Sequence, residues 1–393
     1  MSAPSPPLLT LTRLMLRDFR SYPALTLGVD SRVVVLAGEN GTGKTNLLEA
    51  VSLLGPGRGL RGAKLADLAR ITPEGGLPWA AAGRFRGPWG EFDIGTGTPE
   101  GGPVERRSFR LDGQPVRGSA DLADRVAAVW LTPQMDRLFQ DGAGERRRFL
   151  DRLVWALEPG HARQVAAYDR AMTQRNRLLA GGGLSRADPG WLSALEDAMA
   201  RHGVALAATR RSLVSRLNLA LAEGVTGAFP VALLELTCSV AAALDAAPAL
   251  AVEDRLRAEW EQARPRDAAA GITLAGPHRA DLGATHASKG VPAALCSTGE
   301  QKALLVSTIL AHAALIAAAR GFGPLLLLDE VAAHLDAPRR EALFTALVAL
   351  PAQVFLTGTD PEVFGPLRGL AAGFRTAPGC VVPLGDFPVP GAS

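Results

Sequence analysis

The chain has 393 residues, 47% of them hydrophobic and 21% charged, with a formal net charge of +3 and an isoelectric point near 9.0. That length accommodates two or three domains, or one large α/β domain with an insertion, and the composition excludes a disordered or fibrous chain. The mild basic excess permits an anionic partner, and Cys238, Cys296 and Cys380 offer neither a C-x-x-C pair nor a disulfide framework, which fits a reducing, cytoplasmic compartment. The opening Met-Ser-Ala-Pro-Ser-Pro-Pro lacks the basic region and apolar core of a leader peptide.

Residues 8–37 are predicted as strands: Leu9, Leu11 and Leu14 alternate, and Arg32-Val-Val-Val-Leu-Ala37 is a short β-branched run of the kind buried in a sheet. Next comes Gly38-Glu39-Asn40-Gly41-Thr42-Gly43-Lys44-Thr45, a complete G-x-x-x-x-G-K-[ST] loop. Glycines there let backbone N–H groups turn around a phosphate chain. Lys44 supplies a mobile charge for the β/γ-phosphates, and the Thr45 hydroxyl is placed to ligate Mg²⁺. Leu47, Leu48, Val51 and Leu54 then predict a helix whose N-terminus faces those phosphates.

Residues 75–118 are rich in Gly and Pro, and Ser108-Phe-Arg-Leu111 followed by Asp112-Gly113 reads as a hairpin. The pattern turns helical near 145. A helix over 145–158 stops at Pro159-Gly160, and Val165, Tyr168, Met172 and Leu179 form one face of a second. Gly181-Gly-Gly183 breaks it, and Leu192, Leu195, Met199, Leu206, Leu213 and Leu217 mark a third over 191–223. Strand-loop-helix character returns after Gly271. His161, His202, His286 and His312 read as packed or solvated. Arginines at 106–110, 146–152 and 163–177 fit a phosphate backbone or a solvated helix face equally well.

Ser297-Thr-Gly-Glu-Gln-Lys302 opens a charge-free run over 303–319, nearly long enough to span a membrane but read as a buried core helix. The Ser297 turn alone suits either an anion at a helix N-terminus or a plain helix cap, and its position 27 residues before Pro324 makes it more than a cap. Pro324-Leu-Leu-Leu-Leu-Asp-Glu330 predicts a strand buried on both faces with two carboxylates at its end. Asp329 is placed to hold Mg²⁺, and Glu330 to act as general base toward water.

The order of these elements resembles the ATPase heads of the ABC superfamily, and within it the RecF family. Thr298-Gly299-Glu300-Gln301 is similar to the superfamily signature, and His334-Leu-Asp336 follows the acidic strand end as expected. The opening Leu11-Thr-Arg-Leu-Met-Leu-Arg-Asp-Phe-Arg-Ser-Tyr22, Gly57-Arg-Gly-Leu-Arg61, Leu131-Thr-Pro-Gln134, Arg146-Arg-Arg-Phe-Leu-Asp151 and Gly276-Pro-His-Arg-Ala-Asp281 resemble RecF elements, so that the likeness covers nearly the whole chain.

The resemblance implies an α/β ATPase head with a mainly helical inserted lobe: residues 1–140 and 268–393 form the head, and 141–267 the lobe. It implies ATP and Mg²⁺ as cofactors, with Thr45, Asp329 and Gln134 near the metal and Glu330 and Gln134 catalytic. Thr298, Gly299 and Asp336 are implied to reach the nucleotide of a partner subunit in an ATP-induced homodimer. It further implies sequence-independent DNA binding at junctions or gapped duplex, RecO and RecR as partners, a place in DNA repair, replication and the SOS response, and no membrane. Arg58, Arg61, Arg146, Arg147 and Arg148 are the candidate DNA contacts. Two positions depart from the superfamily: Glu300 stands where Gly is usual, and Thr359 where a switch His is usual, which predicts slow hydrolysis because Thr does not titrate near neutral pH. The alternatives are a transporter's nucleotide-binding subunit and a Rad50-like nuclease partner. The second is disfavoured by the lack of a long heptad coiled coil and a C-x-x-C hook.

Overall fold

The computed structural model describes residues 8–73, 75–99, 106–180, 188–224, 226–333, 335–385 and 387. The apolar runs predicted as strands join one six-stranded sheet, in the order Ala128–Leu131, Leu325–Leu328, Gln353–Gly358, Val33–Ala37, Ala372–Ala377, Cys380–Pro383. All neighbours are parallel except the last pair. Every residue of Val33–Ala37 and Leu325–Leu328 is buried, as unbroken apolar strands require in a sheet covered on both faces. A second, antiparallel sheet runs Tyr22–Gly28, Thr10–Phe19, Ala80–Gly87, Gly90–Gly97, Ser108–Leu111, Gln114–Val116. The predicted hairpin is its far edge, and Asp112 (φ 49°) and Gly113 (φ 76°) both take the left-handed conformation of a two-residue turn.

Buried Gln353 ties the two sheets. Its Oε1 accepts the Leu11 amide at 2.7 Å, and its Nε2 donates to the carbonyls of Leu11, Val29 and Ser31 at 2.9–3.0 Å. The charge-free run is the helix Thr298–Arg320, whose most apolar stretch is 78% buried, as expected of a core helix.

These elements belong to one unit, residues 1–136, 223–231 and 297–393; residues 137–222 and 232–296 form the other. The second unit holds the helices Ala143–Leu157, His161–Ala180, Pro189–Ala222, Ser239–Ala246 and Ala249–Ala270. It also holds a three-stranded sheet of Ala232–Thr237, Asp281–His286 and Val291–Pro292. Its boundary therefore falls after Cys296 and not at 267. The physical reason is strand pairing: Asp281–His286 is antiparallel to Ala232–Thr237, so the Gly-Pro-His-Arg segment folds with the helices. The glycine break at 181–183 lies outside the described residues.

The second unit is organised around Arg175, which has no solvent exposure. Its guanidinium donates to Glu196 at 2.9 Å, Asp267 at 2.8 Å, Thr273 at 2.9 Å and the Trp260 carbonyl at 2.9 Å. Arg264 adds a second pair to Glu196. Removing one member of such a network strands the others without water. Arg175→Leu is expected to cost about 3–5 kcal/mol in this unit, read as an early melting transition in calorimetry. An unshifted transition contradicts the structural role.

Candidate nucleotide-binding site

Gly38, Gly41 and Gly43 have φ of 157°, 83° and 104°, and the helix Lys44–Leu53 starts directly from the loop. Gly43 is sterically obligatory: a Cβ there would lie 2.6 Å from the Tyr22 hydroxyl and 2.8 Å from Ser21 Oγ. Burial pushes the Tyr22 hydroxyl far above its ordinary range, so it stays a neutral floor under the loop. Thr42 Oγ1 is 2.7 Å from Thr376 Oγ1, which anchors the loop to its neighbouring strand.

Lys44 is 5% exposed. Its Nζ donates to the carbonyls of Gly38 (2.6 Å) and Glu39 (3.0 Å) and lies 3.5 Å from Glu330 Oε1. Thr45 Oγ1 is 3.0 Å from both oxygens of Asp329. Residues 284 positions apart thus meet because the strands that lead to them, Val33–Ala37 and Leu325–Leu328, run parallel in one sheet. Glu330 has φ 52°, a left-handed conformation that costs a non-glycine residue about 1–3 kcal/mol and is concentrated at functional sites.

A cavity of about 560 Å³ opens over these groups, lined among others by Asn40, Arg61, Asp136, Lys302 and Thr359. Gln134, in the short helix Pro133–Arg137, lines an adjoining cavity of about 180 Å³ with Thr45 and Asp329. Sequence reasoning missed Lys302. Its ammonium, from the fifth residue of Thr298–Arg320, reaches the Ala333 carbonyl at 3.1 Å and Asp136 at 3.3 Å.

The donor set fits a magnesium nucleotide. Loop amides, a buried ammonium and a helix N-terminus suit phosphates. A hydroxyl beside a carboxylate supplies hard oxygens, and Mg²⁺ takes its remaining ligands from phosphates and water. Among the described residues no cluster of three or more His, Cys, Asp or Glu is placed to hold a metal.

Thr298 is exposed, beside Gly299 on the turn that begins its helix. Glu300 closes a capping box: its amide reaches Ser297 Oγ at 3.4 Å, and its carboxylate accepts from the Ser297 amide at 2.9 Å. Asp336 caps the next helix through the Arg339 amide at 2.8 Å. A Cβ on Gly299 would lie 3.5 Å from Arg339 Nη1, and Arg339 Nε is 3.8 Å from Asp336, so the two candidate trans elements lie near one another. His334 lies outside the described residues.

The structure separates the nominated DNA contacts. Arg58 is exposed. Arg61 instead donates to Asn46 at 2.8 Å and Glu49 at 3.0 Å. Arg146 grips Asp281 with two bonds of 2.7 Å, and that guanidinium holds the Asp281 carboxyl below its usual range. Arg147 donates to the Ala280 carbonyl at 2.7 Å. Arg148 is exposed and paired with Glu145. The Gly-Pro-His-Arg element is likewise architectural. His278 Nε2 lies 2.9 Å from the Thr273 carbonyl, which only accepts, so Nδ1 accepts from the Tyr168 hydroxyl at 2.7 Å. Burial lowers the His278 pKa and keeps it neutral. Arg210 donates to the Pro277 carbonyl at 2.7 Å.

No protein-family model matches the chain. It is 48% identical over 378 residues to the DNA replication and repair protein RecF of Mesorhizobium japonicum, covering 96% of this chain and 98% of that one. It is also 48% identical over 372 residues to the protein of the same name from Agrobacterium fabrum, covering 94% and 97%. The recombination mediator protein RecF solved with ATP has the same fold, with a TM-score of 0.83 at 20% identity over 98% of this chain and 100% of that one. An Smc head domain from Pyrococcus furiosus is a more distant likeness, with a TM-score of 0.51 at 14% identity over 96% of each chain. Nearly half the residues are shared with these curated relatives along almost their entire length, and the chain belongs to the RecF family of DNA replication and repair proteins.

Proposed function

We propose that the chain is a Mg²⁺-dependent ATPase that dimerises on ATP, holds DNA without reading its sequence, and acts with RecO and RecR to load recombinase at gaps. The observation that carries the catalytic half is the meeting of Thr45 and Asp329 at 3.0 Å beside Lys44 and Glu330. The RecFOR pathway in the name of the solved neighbour and the relatives' name support the DNA half.

Lys44 exchanges its loop carbonyls for phosphate oxygens, and the loop amides hold the phosphate chain in line. Mg²⁺, when bound by Thr45 and Asp329, neutralises charge on the phosphates. Glu330 Oε1 faces the same cavity and takes the proton of an attacking water that Gln134 helps to place. Thr359 offers a hydroxyl there but no titrating group, so turnover is slow. Thr298 and Gly299, with Asp336 near them, close over the partner's nucleotide.

Arg163, Arg170 and Arg177 recur every seven residues along His161–Ala180, are exposed, and have no carboxylate within 4.0 Å among the described residues. They suit a phosphate backbone better than Arg146 and Arg147, which are engaged internally. Changing all three to Ala should flatten the slope of log K against log salt by about 2.7, three contacts at about 0.9 each. ATP-dependent binding to random duplexes, followed by fluorescence anisotropy from low to moderate salt, checks this. An unchanged slope removes these arginines from the interface, and salt-insensitive binding without ATP contradicts the clamp itself.

A further inference from the structure

Thr357 sits near the end of Gln353–Gly358, the strand between Leu325–Leu328 and Val33–Ala37, with no solvent exposure. Its hydroxyl donates to Asp329 Oδ1 at 2.7 Å and accepts the Glu330 amide at 2.9 Å. An amide N–H only donates and a carboxylate only accepts, so the direction of both bonds is determined and the one hydroxyl hydrogen is committed to Asp329. Asp329 Oδ1 is thereby held between Thr357 and Thr45. The same hydroxyl satisfies the N–H of Glu330, whose left-handed backbone aims its carboxylate toward Lys44.

We propose that Thr357 is the positioning residue of the metal side of this site, its single hydroxyl setting both the rotamer of Asp329 and the backbone of Glu330. The proposal rests on the reading of Asp329 as the carboxylate that holds Mg²⁺. It assigns Thr357 no contact with nucleotide: among the cavity residues Thr359 is present and Thr357 is not. Outer partners of a metal-binding carboxylate typically govern metal affinity or activity by 10–100-fold.

The test compares Thr357→Val, which keeps the shape and loses both bonds, with Thr357→Ser, which keeps the hydroxyl. Binding of a fluorescent ATP analogue is measured in EDTA and then across a Mg²⁺ titration, and turnover is measured separately. Thr357→Val should bind in EDTA within about twofold of the parent, because Lys44 and the loop amides are untouched. Its Mg²⁺ half-saturation should rise by about 10–100-fold, and Thr357→Ser should restore most of it. A parental Mg²⁺ midpoint in Thr357→Val overturns the proposal. So does a loss of analogue binding in EDTA that Ser does not rescue, because Thr357 then serves the loop and not the metal. A parent protein that binds Mg²⁺-nucleotide but never hydrolyses it defeats the ATPase reading alone, since the Mg²⁺ midpoints of the variants still decide the role of Thr357.

Discussion

Replacing Glu330 by Gln is expected to lower ATP turnover by about 10²–10⁴-fold, the usual worth of a positioned general base, and to prolong the ATP-bound dimer. The change keeps the shape of a side chain that lies 3.5 Å from Lys44 and removes its charge together with its basicity. Asp329 and Thr45 stay paired, so nucleotide and metal should still bind. Single-turnover hydrolysis measured beside nucleotide affinity separates the two. Unaltered turnover removes Glu330 from the role of base.

Lys44→Arg should have a comparable effect by another route. The ammonium is 5% exposed and packed against two loop carbonyls at 2.6 and 3.0 Å. A planar, forked guanidinium keeps the charge but does not fit that geometry. Loss of one preorganised electrostatic group at such a site costs about 10²–10³ in turnover. The melting temperature should change little, because the loop is anchored elsewhere, through Thr42 and Thr376. Parental turnover and parental dimerisation in this variant overturn the loop assignment.

The phosphate loop and the four-leucine strand were legible because their signal is local: a spacing of glycines, or an unbroken apolar run, means the same thing in any context. The sheet they share follows from the pattern of buried parallel strands. What the pattern could not reveal depends on partners remote in sequence. Arg146 looks like a free cation until Asp281, 135 residues on, is seen to hold it. The lobe boundary moves from 267 to 296 because of one antiparallel pairing across the unit. Thr357 is an ordinary strand residue in the sequence, and only the adjacency of two parallel strands brings its hydroxyl to Asp329, 28 residues away. Ser297 and Glu300 form the capping box of the helix Thr298–Arg320, which fixes the backbone of the turn that carries Thr298 and Gly299.

Under the proposed function, nucleotide drives two copies together. Sedimentation velocity with and without Mg²⁺-ATP tests it most directly, with Lys44→Arg and Thr298→Arg as companions. A monomer of 41.1 kDa is expected without nucleotide and a dimer with it. Each variant alone should stay monomeric, while a mixture of the two should regain dimer and turnover through one intact composite site. A sedimentation coefficient that is the same with and without ATP, or a mixture no better than either variant, contradicts it.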